Sequence, residues 1–86
     1  MSSSVNENAG SPVTKVTFSE ETMSVHLSDG REIKVPLHFY PKLQKATSLQ
    51  REDYRIQGLG SGIHWPALDE DLSLVGILAG RHSRPE

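Results

Sequence analysis

VTKVTFSEETMSVHLSDGREIKV, residues Val13 to Val35, decides the fold class. Val16 and Phe18 fall on one side of an alternating pattern, with Lys15, Thr17 and Ser19 on the other. Met23, Val25 and Leu27 then alternate with Ser24, His26 and Ser28, and Ile33 and Val35 alternate with Lys34. Period-two alternation rich in β-branched residues marks half-buried strands, because successive side chains of a strand point to opposite faces. Glu20-Glu21 and Asp29-Gly30 sit at the two junctions. Asp-Gly is a strong hairpin signal, and the pattern predicts a tight primed turn there. The stretch therefore reads as a three-stranded antiparallel meander with one apolar face.

That face needs a cover, and the chain downstream supplies it. Phe39, Leu43 and Ala46 lie at helical offsets, with Pro41 in the first turn, where a missing N–H has no helical partner to lose. Thr47 or Ser48 is placed to cap a second short helix over Leu49 to Tyr54. Tyr54 to Gln57 reads as a fourth strand, followed by the glycine-rich GLGSG of Gly58 to Gly62, and Ile63 to Trp65 as a return to the sheet that Pro66 ends. Asp69 or Asp71 is the expected N-cap of a last helix with Leu72, Val75 and Leu78 or Ala79 along one side, closed by Gly80. The expected fold is α+β: the meander plus one or two further short strands, packed against two or three short helices. Residues 1–11 read as a disordered leader, 12–80 as one domain and 81–86 as a flexible tail.

Composition narrows the function classes. A chain of 86 residues with 35% apolar content has a modest core and no room for a deep cleft between lobes. The absence of cysteine excludes disulfide stapling and thiolate metal clusters. The polar start MSSSVNENAGSP is not a signal peptide, and no apolar run approaches the roughly 18 residues of a membrane span. A soluble, cytoplasmic protein with no membrane partner is the expectation. A net charge of −2 argues against bulk nucleic-acid binding, although Lys42, Lys45, Arg51 and Arg55, with Tyr40 and Tyr54 nearby, form a candidate basic patch.

The motifs that resemble chemistry lack its context. Gly58, Gly60 and Gly62 lead into Ile63-His64-Trp65-Pro66, which cannot supply the helix N-terminus that a phosphate cradle requires. His64 has Asp69 and Asp71 nearby, yet no spacing makes these residues converge on a metal, and capping is the simpler role for the aspartates. Gly60-Ser61-Gly62 is not a nucleophile elbow. No catalytic set and no cofactor are expected. Trp65, the single tryptophan, reads first as core and second as an interface anchor.

Several segments together resemble a known family. They are Asp29-Gly30, Ile33-Lys34-Val35-Pro36-Leu37, Phe39-Tyr40-Pro41-Lys42-Leu43, Gly62-Ile63-His64-Trp65-Pro66, Leu68-Asp69-Glu70-Asp71-Leu72 and Leu78-Ala79-Gly80. They are similar to a small bacterial domain of unknown function, number 2442, over about residues 13 to 80, most specifically from Gly62 to Leu72. The resemblance implies a small α+β protein with no established activity. Some members are fused to a helix-turn-helix domain, and the unfused form is the expectation for this sequence. Others are encoded beside a small partner in arrangements like toxin–antitoxin pairs. The family's shared positions that match here are His64, Trp65, Pro66, Asp69, Glu70 and Asp71, and no catalytic role attaches to them.

The sequence therefore points to a non-catalytic protein-interaction module, the antitoxin-like or regulatory half of a two-protein pair. Arg51, Tyr54, His64 and Trp65 are the candidate partner contacts, and another small protein or a second copy of the chain is the expected partner. A nucleic-acid accessory using the basic patch, or a small-ligand or metal site around GLGSGIHW, is the alternative.

Overall fold

The alternating stretch forms three strands, β1 (Val13–Phe18), β2 (Thr22–Leu27) and β3 (Glu32–Pro36), paired antiparallel in chain order. The computed structural model describes residues 11–80; the expected tail, and the expected leader through residue 10, lie outside the described residues. Met23, Val25 and Leu27 of the central strand are buried, as are Val16 and Val35, so the apolar face is the one the alternation marked. Val13 has the parity of the outward Lys15 and Thr17, yet it is also buried. A bulge between Val13 and Lys15 shifts the register and turns Val13 inward.

The hairpin at Asp29-Gly30 has a longer loop than the two-residue primed turn expected from the sequence. The Leu27 carbonyl accepts from Gly30 N–H, and Leu27 N–H donates to the Arg31 carbonyl. Ser28, Asp29 and Gly30 thus form the loop, and only Gly30 has positive φ, at 95°. The Asp29 carboxylate accepts from Arg31 N–H at 3.0 Å and from its Nε at 2.8 Å, which secures the loop without a second left-handed residue.

After β3 a 3-10 turn (Leu37–Phe39) leads into helix α1 (Pro41–Gln44), with Pro41 at its first position as expected. The helical stripe expected through Phe39, Leu43 and Ala46 is therefore broken in two. Leu43 is fully buried while Phe39 and Ala46 are only half-buried. Helix α2 (Ser48–Glu52) is capped by Thr47, whose hydroxyl accepts from Gln50 N–H while the Gln50 side chain accepts from Thr47 N–H.

The chain then builds a second three-stranded antiparallel sheet rather than returning to the first: β4 (Arg55–Gln57), β5 (Gly62–Trp65) and β6 (Glu70–Ser73). Asp69 and Asp71 do not cap a helix. Asp69 ends the 3-10 turn Pro66–Leu68 in the left-handed conformation, and Asp71 lies within β6. The helix-cap role belongs to Ser73, whose hydroxyl accepts from Gly76 N–H at the start of α3 (Leu74–Leu78). Pro66 stops β5, and the turn it opens reverses the chain before any helix can form. The later start of α3 rotates its faces: Leu74 and Ile77 are buried, whereas Val75 and Leu78, expected inside, are exposed.

Both sheets and the helices share one apolar core in which Trp65, Met23, Leu37, Leu43, Ile63 and Val25 are the largest fully buried residues. No helix among the described residues is long and apolar enough to cross a membrane.

Candidate functional site

Each candidate residue is placed by the strand or helix that carries it. Trp65 is fully buried, with its Nε1–H donating to the Arg51 carbonyl at 2.9 Å and its ring edge-on to Phe18. It is therefore a core residue and not a partner contact: a buried indole N–H needs an acceptor, and α2 provides one. Tyr54 is half-buried beside it, and its hydroxyl accepts from Val16 N–H at 3.0 Å, tying the approach to β4 onto the edge of β1.

Arg51 also works within the fold. Its Nε donates to the Leu43 carbonyl at 2.9 Å, which also accepts from Ala46 N–H, and its Nη2 donates to the Gln44 carbonyl at 2.8 Å, so it closes the end of α1. Its guanidinium lies 5.8 Å from the centre of the Phe18 ring. Arg51 and Phe18, with Ser19, Glu20, Ser48 and Glu52, line a cleft of about 350 Å³.

The four cations of the basic patch are in different surroundings. Lys42 donates to the Asp69 carbonyl at 3.2 Å and pairs with the buried Glu70 carboxylate at 3.8 Å. Arg51 is occupied as described, Arg55 lies 3.4 Å from Asp53, and Lys45 is exposed. The Glu70 carboxylate also acts on Tyr40, whose hydroxyl pKa is raised first by burial and then by that negative charge.

His64 is adjacent to Trp65 in β5, so its side chain takes the opposite face. It stands between Arg55 of β4 and Asp71 of β6 in register on the outer face of the second sheet. His64 Nδ1 is 2.7 Å from Asp71 Oδ1, and Gln57 Nε2 donates to the same oxygen at 3.3 Å. An ionised carboxylate can only accept, so Nδ1 carries the proton in this pair. His64 and Asp71 are a non-hydrogen-bonded backbone pair, the class in which facing side chains stand closest.

One register step along, Gly62 lies between Gln57 and Ser73. With no side chain at the centre of the row, the outer face is hollowed. Gln57, Gly58, Ser61, Gly62, Asp71 and Ser73 line an open groove of about 570 Å³. A β-carbon on Gly62 would come within 3.3 Å of the Leu72 carbonyl oxygen. Next to Gly58 in the chain, Leu59 is 99% exposed in the left-handed conformation, between two glycines of positive φ. Its neighbour Gly60 is fixed by space: a β-carbon there would strike Pro12, whose Cα is 3.0 Å away.

The four residues expected at a partner surface thus separate. Trp65 is inside, Tyr54 and Arg51 join elements, and His64 alone faces outward in the second sheet. Gln57, Ser61, Gly62 and Ser73 were not singled out as a group by the sequence reading. The available signal was Gly62, a glycine at the head of an otherwise apolar run, where close approach of a backbone or ligand is one reason for a strand glycine. Among the described residues no three His, Asp or Glu side chains converge as metal ligands.

Residues 13–83 match the profile of a family described as a protein of unknown function, DUF2442. The chain belongs to that family. It is similar to a protein of unknown function from Rhodospirillum rubrum ATCC 11170, at 30% identity and a TM-score of 0.73, over 86% of this chain and 92% of that one. It is also similar to the uncharacterized protein CV0863 from Chromobacterium violaceum, at 28% identity and a TM-score of 0.71, over 85% of this chain and 69% of that one. No curated protein matches this DUF2442 chain. The match includes Gly62, His64 and Asp71, so the hollowed outer face lies within the family region.

Proposed function

We propose that this protein is a non-catalytic protein-interaction module, the antitoxin-like or regulatory half of a cytoplasmic two-protein pair, and that it meets its partner on the outer face of the second sheet. The observation that carries the reading is the groove over Gly62. It offers a lane free of side chains, flanked by the Gln57 amide, the His64–Asp71 pair and the Ser61 and Ser73 hydroxyls, and the residue after its lining Gly58 is the exposed Leu59. A lane of this kind lets another chain approach closely while side chains at its rim set specificity. An exposed leucine held between two glycines fits an anchor entering an apolar pocket on the partner.

The test is recovery of the tagged protein from its own host, with bound proteins identified by mass spectrometry. Leu59→Asp, His64→Ala and Lys34→Ala are run beside it. A small protein held one-to-one by the unaltered chain and by Lys34→Ala, lost with Leu59→Asp and reduced with His64→Ala, supports the reading. No stoichiometric partner, or equal retention by all variants, overturns it. Nucleic-acid binding is less favoured because Lys42, Arg51 and Arg55 already hold acceptors within the fold. It would show as DNA affinity that falls steeply with salt. A small ligand or metal at the loop would move the His64 resonances on titration.

A further inference from the structure

The hydrogen-bond pattern determines which sheet edge is open to another strand. In β1, Val16 and Phe18 turn their backbone groups outward; Tyr54 occupies the Val16 N–H, and β4 lies against the strand. In β3, the bonds Leu27 N–H to Arg31 and Leu37 N–H to Glu21 set the alternation, so Glu32, Lys34 and Pro36 face outward. Two charged residues and a proline without a donor protect that edge. β4 has only Ile56 outward and lies against β1. In β6, the bond from Leu74 N–H to the Ser61 carbonyl assigns Leu72 to the β5 ladder and turns the backbone groups of Asp71 and Ser73 outward. Neither outward N–H has an acceptor among the described residues, and neither residue is a proline.

We infer that the chain self-associates as a twofold dimer by pairing β6 with β6 of a second copy. Of the twofold antiparallel registers that the outward placement of Asp71 and Ser73 allows, the one centred on Leu72 uses both outward residues of each copy. Asp71 then exchanges both backbone hydrogen bonds with Ser73 of the other copy, and Leu72 faces Leu72 across the axis. This register is chemically self-complementary. Each carboxylate lies opposite a hydroxyl rather than another carboxylate, and the central pair is apolar. The two second sheets join into one six-stranded sheet. α3 follows β6 directly, so its exposed Val75 and Leu78 are carried to the flanks of the joint.

The experiment is sedimentation velocity of the full chain across a concentration series, with Asp71→Pro and Asp71→Ala. Proline removes the outward N–H and leaves the β5 ladder intact, whereas alanine removes only the side chain. The expected result is dimer mass for the unaltered chain and Asp71→Ala, and monomer mass for Asp71→Pro. A monomer at every concentration, or a dimer that survives Asp71→Pro, overturns the inference. Because the chain has no cysteine, a second measurement is independent of the proline variant's stability. Asp71→Cys mixed with Ser73→Cys should form one intermolecular disulfide under mild oxidation, while either alone should not. No cross-link in the mixture, or equal cross-linking of the single variants, also overturns it.

Discussion

The two sheets share a topology, three antiparallel strands in chain order, but their outer faces are built differently. In the first, the facing side chains bind one another. Thr17 Oγ1 lies 3.1 Å from His26 Nε2, and Lys34 Nζ donates to Glu32 at 3.1 Å and to Ser24 at 3.4 Å. Long side chains and mutual hydrogen bonds leave that face closed. In the second sheet Gly62 replaces the central side chain, and Gln57, His64 and Asp71 cluster to one side of the gap. The first sheet is a scaffold face that satisfies itself, and the second keeps polar groups at the rim of an open groove. Topology alone would not distinguish them.

The contrast depends on both sheets sharing one core, and Trp65→Ala tests this most severely. Removing a fully buried tryptophan should destabilise the protein by about 3–5 kcal/mol and unfold both sheets in a single transition. Denaturant titration followed by circular dichroism checks this, and a surviving first sheet would mean that the two halves are independent. Gly60→Ala should be next, at more than about 2 kcal/mol. It adds a β-carbon against Pro12 at the start of the first sheet and forces alanine to a positive φ. Tyr54→Phe removes only the hydroxyl that serves Val16 N–H, and should cost about 1–2 kcal/mol by leaving a donor unpaired. Gly30→Ala should cost about 1 kcal/mol, because a β-carbon there meets open space and only the backbone conformation is penalised. If Gly30→Ala proves as severe as Gly60→Ala, contact between the loop and Pro12 does not join the sheets.

The smallest effect is one of pH. Tyr40 has a raised pKa in the fold, so stability is level below the ordinary tyrosine value of about 10 and declines as pH rises through the folded value. Urea midpoints across the alkaline range should fall for the unaltered chain and fall less for Tyr40→Phe. An identical alkaline decline in both would remove Tyr40 from the account.

The first sheet was legible almost residue by residue, because alternation over long strands is a local signal that burial reinforces. The second sheet was not. Its strands have three or four residues, too few for periodicity to separate a strand from the first turn of a helix. Aspartates before an apolar run imitate a helix start, and Glu70 to Ser73 was read as one. The strand won because pairing with β5 buries Leu72 and brings the buried Glu70 to Lys42, which no local propensity reports. The site followed the same division: His64 was singled out by its residue type, but its pairing with Asp71 across the sheet, and the groove over Gly62, needed the register.

The amino-acid order alone determined the α+β class, the apolar face of the meander, the Pro41 start and Thr47 cap of the helices, and the likeness to DUF2442. All of these depend on neighbours within a few residues or on matched motifs. Tertiary contacts decided that Trp65 is core, that Arg51 holds the end of α1, that the last acidic run is a strand, and which strand edge stays open. Those outcomes depend on acceptors and partners brought from distant positions in the chain, and only the folded backbone puts them within hydrogen-bonding distance.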